Sequence, residues 1–211
     1  MPTWTNFSLF LLAALGLVLI PGPAILFVMT RSVEQGRRIG VISSLGVGAA
    51  DLIHTTAAAF GLSALLMTSA LAFSVVKYLG AAYLIYLGIR TLLRREEAHH
   101  TKRAEPKTSS RMFFQGMTVE LLNPKTALFF LAFLPQFVDP AHGAVIWQFL
   151  LFGSLYAVLG FCSLTLYGLL AGTTATLLKR STRFQRLQRY VTGSMYIALG
   201  LTAAFAGETK K

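Results

Sequence analysis

Charge is what this sequence has least of. Only 13% of its 211 residues are Asp, Glu, Lys or Arg, about half the share a soluble domain carries, so the chain cannot cover a water-facing surface and lipid is its expected main solvent. Acidic residues are scarcest, eight against nineteen Lys and Arg. The lone cysteine, Cys162, excludes an intramolecular disulfide and a Cys-x-x-Cys redox pair. No His-Glu-x-x-His, Gly-x-Ser-x-Gly or cysteine-nucleophile pattern occurs, so neither an enzyme nor a resident cofactor is expected. The N-terminus has no basic residue ahead of its apolar stretch and no small-residue cleavage site after it, which argues against a removable signal peptide.

What is present in quantity is apolar: 55% hydrophobic residues, with a mean hydropathy of +0.62. A transmembrane helix needs about 20 such residues, and six stretches qualify, at roughly 7–29, 40–65, 70–93, 112–138, 144–170 and 190–206. A net charge of +11 would suggest nucleic acid as the partner of a soluble protein. Here the basic residues sit in alternate connections instead. Arg31, Arg37 and Arg38 follow the first stretch. Arg90, Arg94, Arg95, Lys102, Arg103, Lys107 and Arg111 surround the third connection, and Lys179, Arg180, Arg183, Arg186 and Arg189 the fifth, whereas 66–69 and 139–143 carry none. Anchoring against lipid headgroups explains this pattern better than nucleic acid does, and the positive-inside rule places these loops in the cytoplasm. The segment 96–110, with His99 and His100, reads as a solvated linker between a first half, 1–95, and a second, 111–211.

The halves echo each other. A shift of 103 residues lays Leu19–Phe27 on Leu122–Phe130 with matching Leu, Pro, Ala and Phe, and a shift of 112 lays Lys77-Tyr78 on Arg189-Tyr190 and Leu87-Gly88 on Leu199-Gly200. Three spans per half is an odd number, so the second half would sit inverted relative to the first, as in many secondary transporters; chance similarity between apolar helices is the alternative. The expected fold is an all-α membrane protein of six transmembrane helices in two inverted three-helix repeats, with helices 1 and 4 broken at Pro motifs.

Pro21, Gly22 and Pro23 interrupt the first span and Pro124 the fourth, because proline removes a backbone donor and clashes with the preceding turn. A helix restarting after such a break presents free amides, here from Ala24 onward and from Thr126 onward, at a positive dipole end that favours a carboxylate. A simple kink satisfied by neighbouring helices is the other explanation. Asp51 falls near the middle of the second span, where an ionisable group costs roughly 2.5–3.5 kcal/mol on insertion scales, so it should face the interior. Gly40, Ser44, Gly48, Asp51 and Thr55 form one small, polar stripe that permits close helix approach. Asp51 is a candidate for a substrate ammonium or a coupling proton, with His54 one turn away as a relay; a buried ion pair is the structural alternative. Glu120, Asn123 and Lys125 gather around Pro124, where Lys125 either neutralises a carboxylate or adds charge to the helix end. Glu120 reads equally well as a solvated residue at the membrane interface. Metal selectivity is poorly supported, since carboxylates, Cys and paired His are not clustered within the spans.

These motifs resemble the lysine exporter (LysE/RhtB) family of bacterial amino-acid efflux proteins. The resemblance rests on Pro21-Gly22-Pro23, on Gly46-Val47-Gly48-Ala49-Ala50-Asp51 and on the run Asn123–Phe137. It implies a six-helix exporter of amino acids or close derivatives in the inner membrane, driven by protons and forming a homodimer. The expected substrate-binding set is Pro21, Gly22, Pro23, Ala24, Asp51, Asn123, Pro124, Lys125 and Thr126; Asp51, His54 and Glu120 are the expected proton-coupling set. A cation or metal-ion transporter is the alternative class.

Overall fold

The computed structural model describes residues 4–64, 69–93, 108–180 and, beyond them, 190, 193–194, 197–198, 200–201 and 204–205. The linker 96–110 lies outside this set up to residue 107, as does much of the sixth expected span. Among the described residues every regular element is helical.

The first expected span is two helices. α1 runs Trp4–Leu19, and α2 restarts at Pro23 and runs to Gln35 with its axis turned by 49°. Gly36, at φ 92°, then reverses the chain into α3, Arg37–Ala57; only glycine adopts that torsion without cost. α3 continues through a π turn, Ala58–Leu62, and α4 follows over Ala70–Leu93. The second break repeats the first. α5, Ser109–Leu121, gives way to α6, Pro124–Leu128, extended by a π turn, Phe129–Phe133, and a 3-10 turn, Leu134–Phe137; the bend is 48°. After a short turn at Pro140–His142, α7 runs Val145–Arg180. Its 36 residues exceed the expected 144–170 because the helix carries its basic end, Lys179 and Arg180, past the apolar stretch.

Arg37–Leu62 and Val145–Ala171 are each long and apolar enough to cross a bilayer, and each bent pair adds a further span if counted as one. Large apolar side chains cover the outside, among them Leu12, Leu79, Trp147 and Leu166, as suits contact with lipid.

α3 lies at the centre, packed against α2, α5 and α7. Its closest approach is to α5, where an added Cβ at Gly46 would overlap the Phe113 carbonyl and one at Gly116 the Ser43 carbonyl. The polar stripe marks a different face, where Gly40 meets Ser32 and Thr55 meets Gly153. The stripe does not reveal the contact with α5, because Ser43 and Gly46 are offset from it around the helix. Gly168, start of a Gly-x-x-x-Gly motif, packs within the chain against Val28 and Gly40. Gly88 on α4 closely approaches Gly193 and Ile197, and Gly200 approaches Ala81 and Ile85.

Two apolar clusters divide the interior. One is aromatic, built on Phe10, Phe129, Phe133, Phe149, Phe152 and Tyr156. The other is aliphatic, built on Ile25, Val28, Met29, Val47 and Leu164. Along α3 and α7 the residues between them include Asp51 and Gly160.

Candidate functional site

Between the two clusters lies a group of polar side chains that an apolar interior tolerates only when they partner each other. Asp51, Glu120, Asn123, Lys125 and Thr126 are all buried, none more than 6% exposed. α3 supplies Asp51, α5 supplies Glu120, and the restart of α6 supplies the other three. The Asp51 and Glu120 carboxyls lie side by side, within hydrogen-bonding contact, on the wall of a small cavity, and the Lys125 ammonium lies within electrostatic reach of both. Ala24, Ile25, Tyr156 and Gly160 are among the other residues of its walls. The free space is about 20 Å³, room for about one water molecule.

The second break satisfies itself. Asn123 is the N-cap of α6 in extended conformation, and its Oδ1 accepts from the Lys125 amide at 3.1 Å. Its Nδ2 donates to Glu120 Oε2 at 3.0 Å, and the Thr126 hydroxyl donates to Glu120 Oε1. Of the two readings of Glu120, the solvated interface residue is therefore excluded; the side chain is 3% exposed and held by the helix end that follows it.

The first break is satisfied from outside. The last carbonyls of α1 have no helical partners of their own. Lys125 Nζ donates to those of Leu17, at 3.2 Å, and Ile20, at 3.4 Å; Ser163 donates to Val18 at 3.2 Å and Tyr167 to Leu19 at 2.7 Å. Lys125 thus places its charge at the negative end of α1, a favourable position for a cation, while lying beside both carboxyls. The N-cap of α2, Gly22, provides no side-chain cap. Ala24 and Ile25 at that helix start line the cavity that Asp51 enters, and Asp51 Oδ1 is buried with no hydrogen-bond partner.

Of the residues singled out from the sequence, Ala24, Asp51, Glu120, Asn123 and Lys125 line one cavity, with Thr126 bonded to Glu120 and Gly22 beside Lys125 Nζ. Pro23 is exposed, and Pro21 and Pro124 are half-buried; they shape the breaks rather than line the space. His54 is outside the cavity: its Nε2 lies 3.5 Å from the Glu120 carbonyl oxygen, and its ring stacks on Phe130. Sequence reasoning does not find Gly160, Tyr156, Ser163 and Tyr167. Ser163 and Tyr167, four apart and so on one face of the helix, are the available signal. Gly160 offers none, since its role is to leave Asp51 Oδ2 room; an added Cβ would stand 3.3 Å from that oxygen. Among the described residues no three His, Cys, Asp or Glu side chains converge as a metal site would require.

Comparison with known proteins brings in relatives of the same length. The LysE family, described as LysE type translocator, matches residues 15–207. A leucine efflux protein of Enterobacter sp. (strain 638) is 28% identical over 94% of this chain and 95% of its own length. An uncharacterized membrane protein of Pseudomonas aeruginosa is 34% identical over 98% of this chain and 99% of its own. A leucine efflux protein of Salmonella choleraesuis is 32% identical over 81% of each chain. No solved structure matches.

Proposed function

The chain belongs to the LysE type translocator family, and from that premise we propose that it is a secondary active transporter exporting amino acids or close derivatives across the bacterial inner membrane by proton antiport. The leucine efflux relatives support the substrate class. The nearly equal bends of 49° and 48° at the two proline breaks, and the paired glycine contacts between α4 and residues 193–200, support two inverted three-helix halves, 1–95 and 111–211, joined by a cytoplasmic linker. The alternation of basic and uncharged connections supports cytoplasmic basic loops.

One observation carries the reading: the unpartnered Asp51 carboxyl oxygen and the uncapped start of α2 share a cavity. A zwitterion needs both, a carboxylate for its ammonium and a helix N-terminus for its carboxylate. Asp51, Glu120 and Lys125 would together carry one net negative charge when all are ionised, so a single substrate ammonium or a single proton balances the site. The two compete for it. A proton arriving from outside on Asp51 weakens its hold on the ammonium and releases the amino acid, and rocking of the halves alternates access. The cavity has room for about one water, so binding an amino acid requires it to widen. A cation or metal ion is the weaker candidate, because the Lys125 ammonium already serves the two carboxyls as their cation.

The test is efflux of labelled amino acids from proteoliposomes under an imposed pH gradient. The wild type should show gradient-driven efflux and Asp51→Asn should reduce it to background. Unchanged gradient-driven efflux in Asp51→Asn removes that residue from coupling, and no amino-acid flux from the wild type overturns the assignment.

A further inference from the structure

The Asp51 and Glu120 carboxyls are buried, at 2% and 3% exposure, and lie within hydrogen-bonding contact of each other. Two carboxylates that close, away from water, repel strongly. A single proton between them turns the repulsion into a hydrogen bond, and such a pair takes up protons as one unit. Lys125 does not relieve the contact by bonding either acid: its ammonium donates to the Leu17 and Ile20 carbonyls, at 3.2 and 3.4 Å. The pair therefore holds a proton in the described arrangement.

The surroundings decide which acid carries it. Glu120 is set as an acceptor, with Oε2 taking a bond from Asn123 Nδ2 at 3.0 Å and Oε1 one from the Thr126 hydroxyl; donors on both oxygens suit a carboxylate. Asp51 is not provided for in this way. Its Oδ1 is buried with no hydrogen-bond partner, and the nearby Thr55 hydroxyl donates at 2.7 Å to the Asp51 backbone carbonyl instead. The other titratable groups that face Asp51 are the Lys125 ammonium from α6 and the Tyr156 ring from α7. His54, on α3 itself, lies outside the cavity beside the Glu120 backbone carbonyl, and α1 and α2 contribute only Val18, Ala24 and Ile25.

We propose that the coupling proton is held as a hydrogen bond from Asp51 to Glu120, and that Glu120, fixed by Asn123 and Thr126, is the positioning residue that gives Asp51 its hold on that proton. The described arrangement is then the proton-loaded one. The proposal rests on the antiport reading above and adds to it the group that receives the proton's hydrogen bond and the state in which the site is seen. Loss of the proton leaves two anions in contact, and a substrate ammonium is the cation that replaces it between them. The pair admits the proton or the ammonium, not both.

Two measurements test it. Infrared spectra of the purified protein at neutral pH should show the band of a protonated carboxyl, and the band should vanish in Asp51→Asn and equally in Glu120→Gln, because it needs both acids. A band that persists in Glu120→Gln, or no band in the wild type, overturns the shared proton and leaves the transporter assignment standing. The second measurement follows efflux of labelled leucine from proteoliposomes against the pH of the receiving side. Glutamine keeps the shape of Glu120 but not the charge that opposes ionisation of Asp51, so the midpoint should move by about one pH unit toward acid. Thr126→Val removes a donor that Glu120 uses as an anion and should move the midpoint the other way, by about half a unit. A merely structural role lowers efflux without moving the midpoint, so an unmoved midpoint in both variants overturns the positioning role. A wild type that moves no amino acid overturns the antiport reading, and the infrared band still decides the shared proton.

Discussion

The two broken helices bend alike and are finished differently. At the first break the carbonyl end of α1 is capped by side chains from α6 and α7, while the amide end of α2 has no side-chain cap. At the second the amide end of α6 is closed by its own Asn123, and Glu120 just before it is held by Asn123 and Thr126. Equal geometry therefore does not mean equal chemistry. The open helix start, together with the unpaired oxygen of Asp51, is where a ligand would gain most, whereas the closed one already has an amide committed to Asn123. This refines the expectation that a carboxylate meets both helix ends, since one of the two commits an amide to its own cap.

The substitution that breaks the contrast most severely is Lys125→Met. It strips a cation from α1 and from both carboxyls at once, and removing one partner from a buried charged set costs about 3–5 kcal/mol. Thermal unfolding in detergent should fall accordingly and transport should drop to background. Gly22→Asn makes the first break resemble the second. Gly22 has the extended backbone of an N-cap, at φ −131° and ψ −171°, which asparagine also adopts. An asparagine there should occupy the α2 amides, raise the KM for substrate by about 10-fold, and leave helix stability within a few tenths of a kcal/mol. An unchanged KM would show that the substrate carboxylate does not bind at α2. Asn123→Ala does the reverse, uncapping α6 at a cost of about 1 kcal/mol and loosening Glu120, visible as a lower melting temperature. Tyr167→Phe should have the smallest effect, losing one hydrogen bond to the Leu19 carbonyl at about 1 kcal/mol or less, with efflux near wild type.

Much of this is legible in the amino-acid sequence. Proline cannot continue a helix, so Pro21, Pro23 and Pro124 announce both breaks. Asp51 announces its burial because a charge in an apolar span has nowhere else to go. The π turns at Ala58–Leu62 and Phe129–Phe133 are not legible: nothing in their apolar composition separates them from ordinary helix, and packing selects them. The contact of Gly46 and Gly116 with the opposing backbone is likewise hidden, because a glycine in a membrane helix does not reveal which neighbour comes close.

By itself the sequence determined the helical class, the places where helices must stop, and the presence of an acid among apolar residues, since these follow from local backbone sterics and from the cost of charge in lipid. Tertiary structure alone decided which carbonyls Lys125 and Tyr167 cap and which helix start stays open. Those are relations between segments as much as 148 positions apart, and they exist only once the chain is packed.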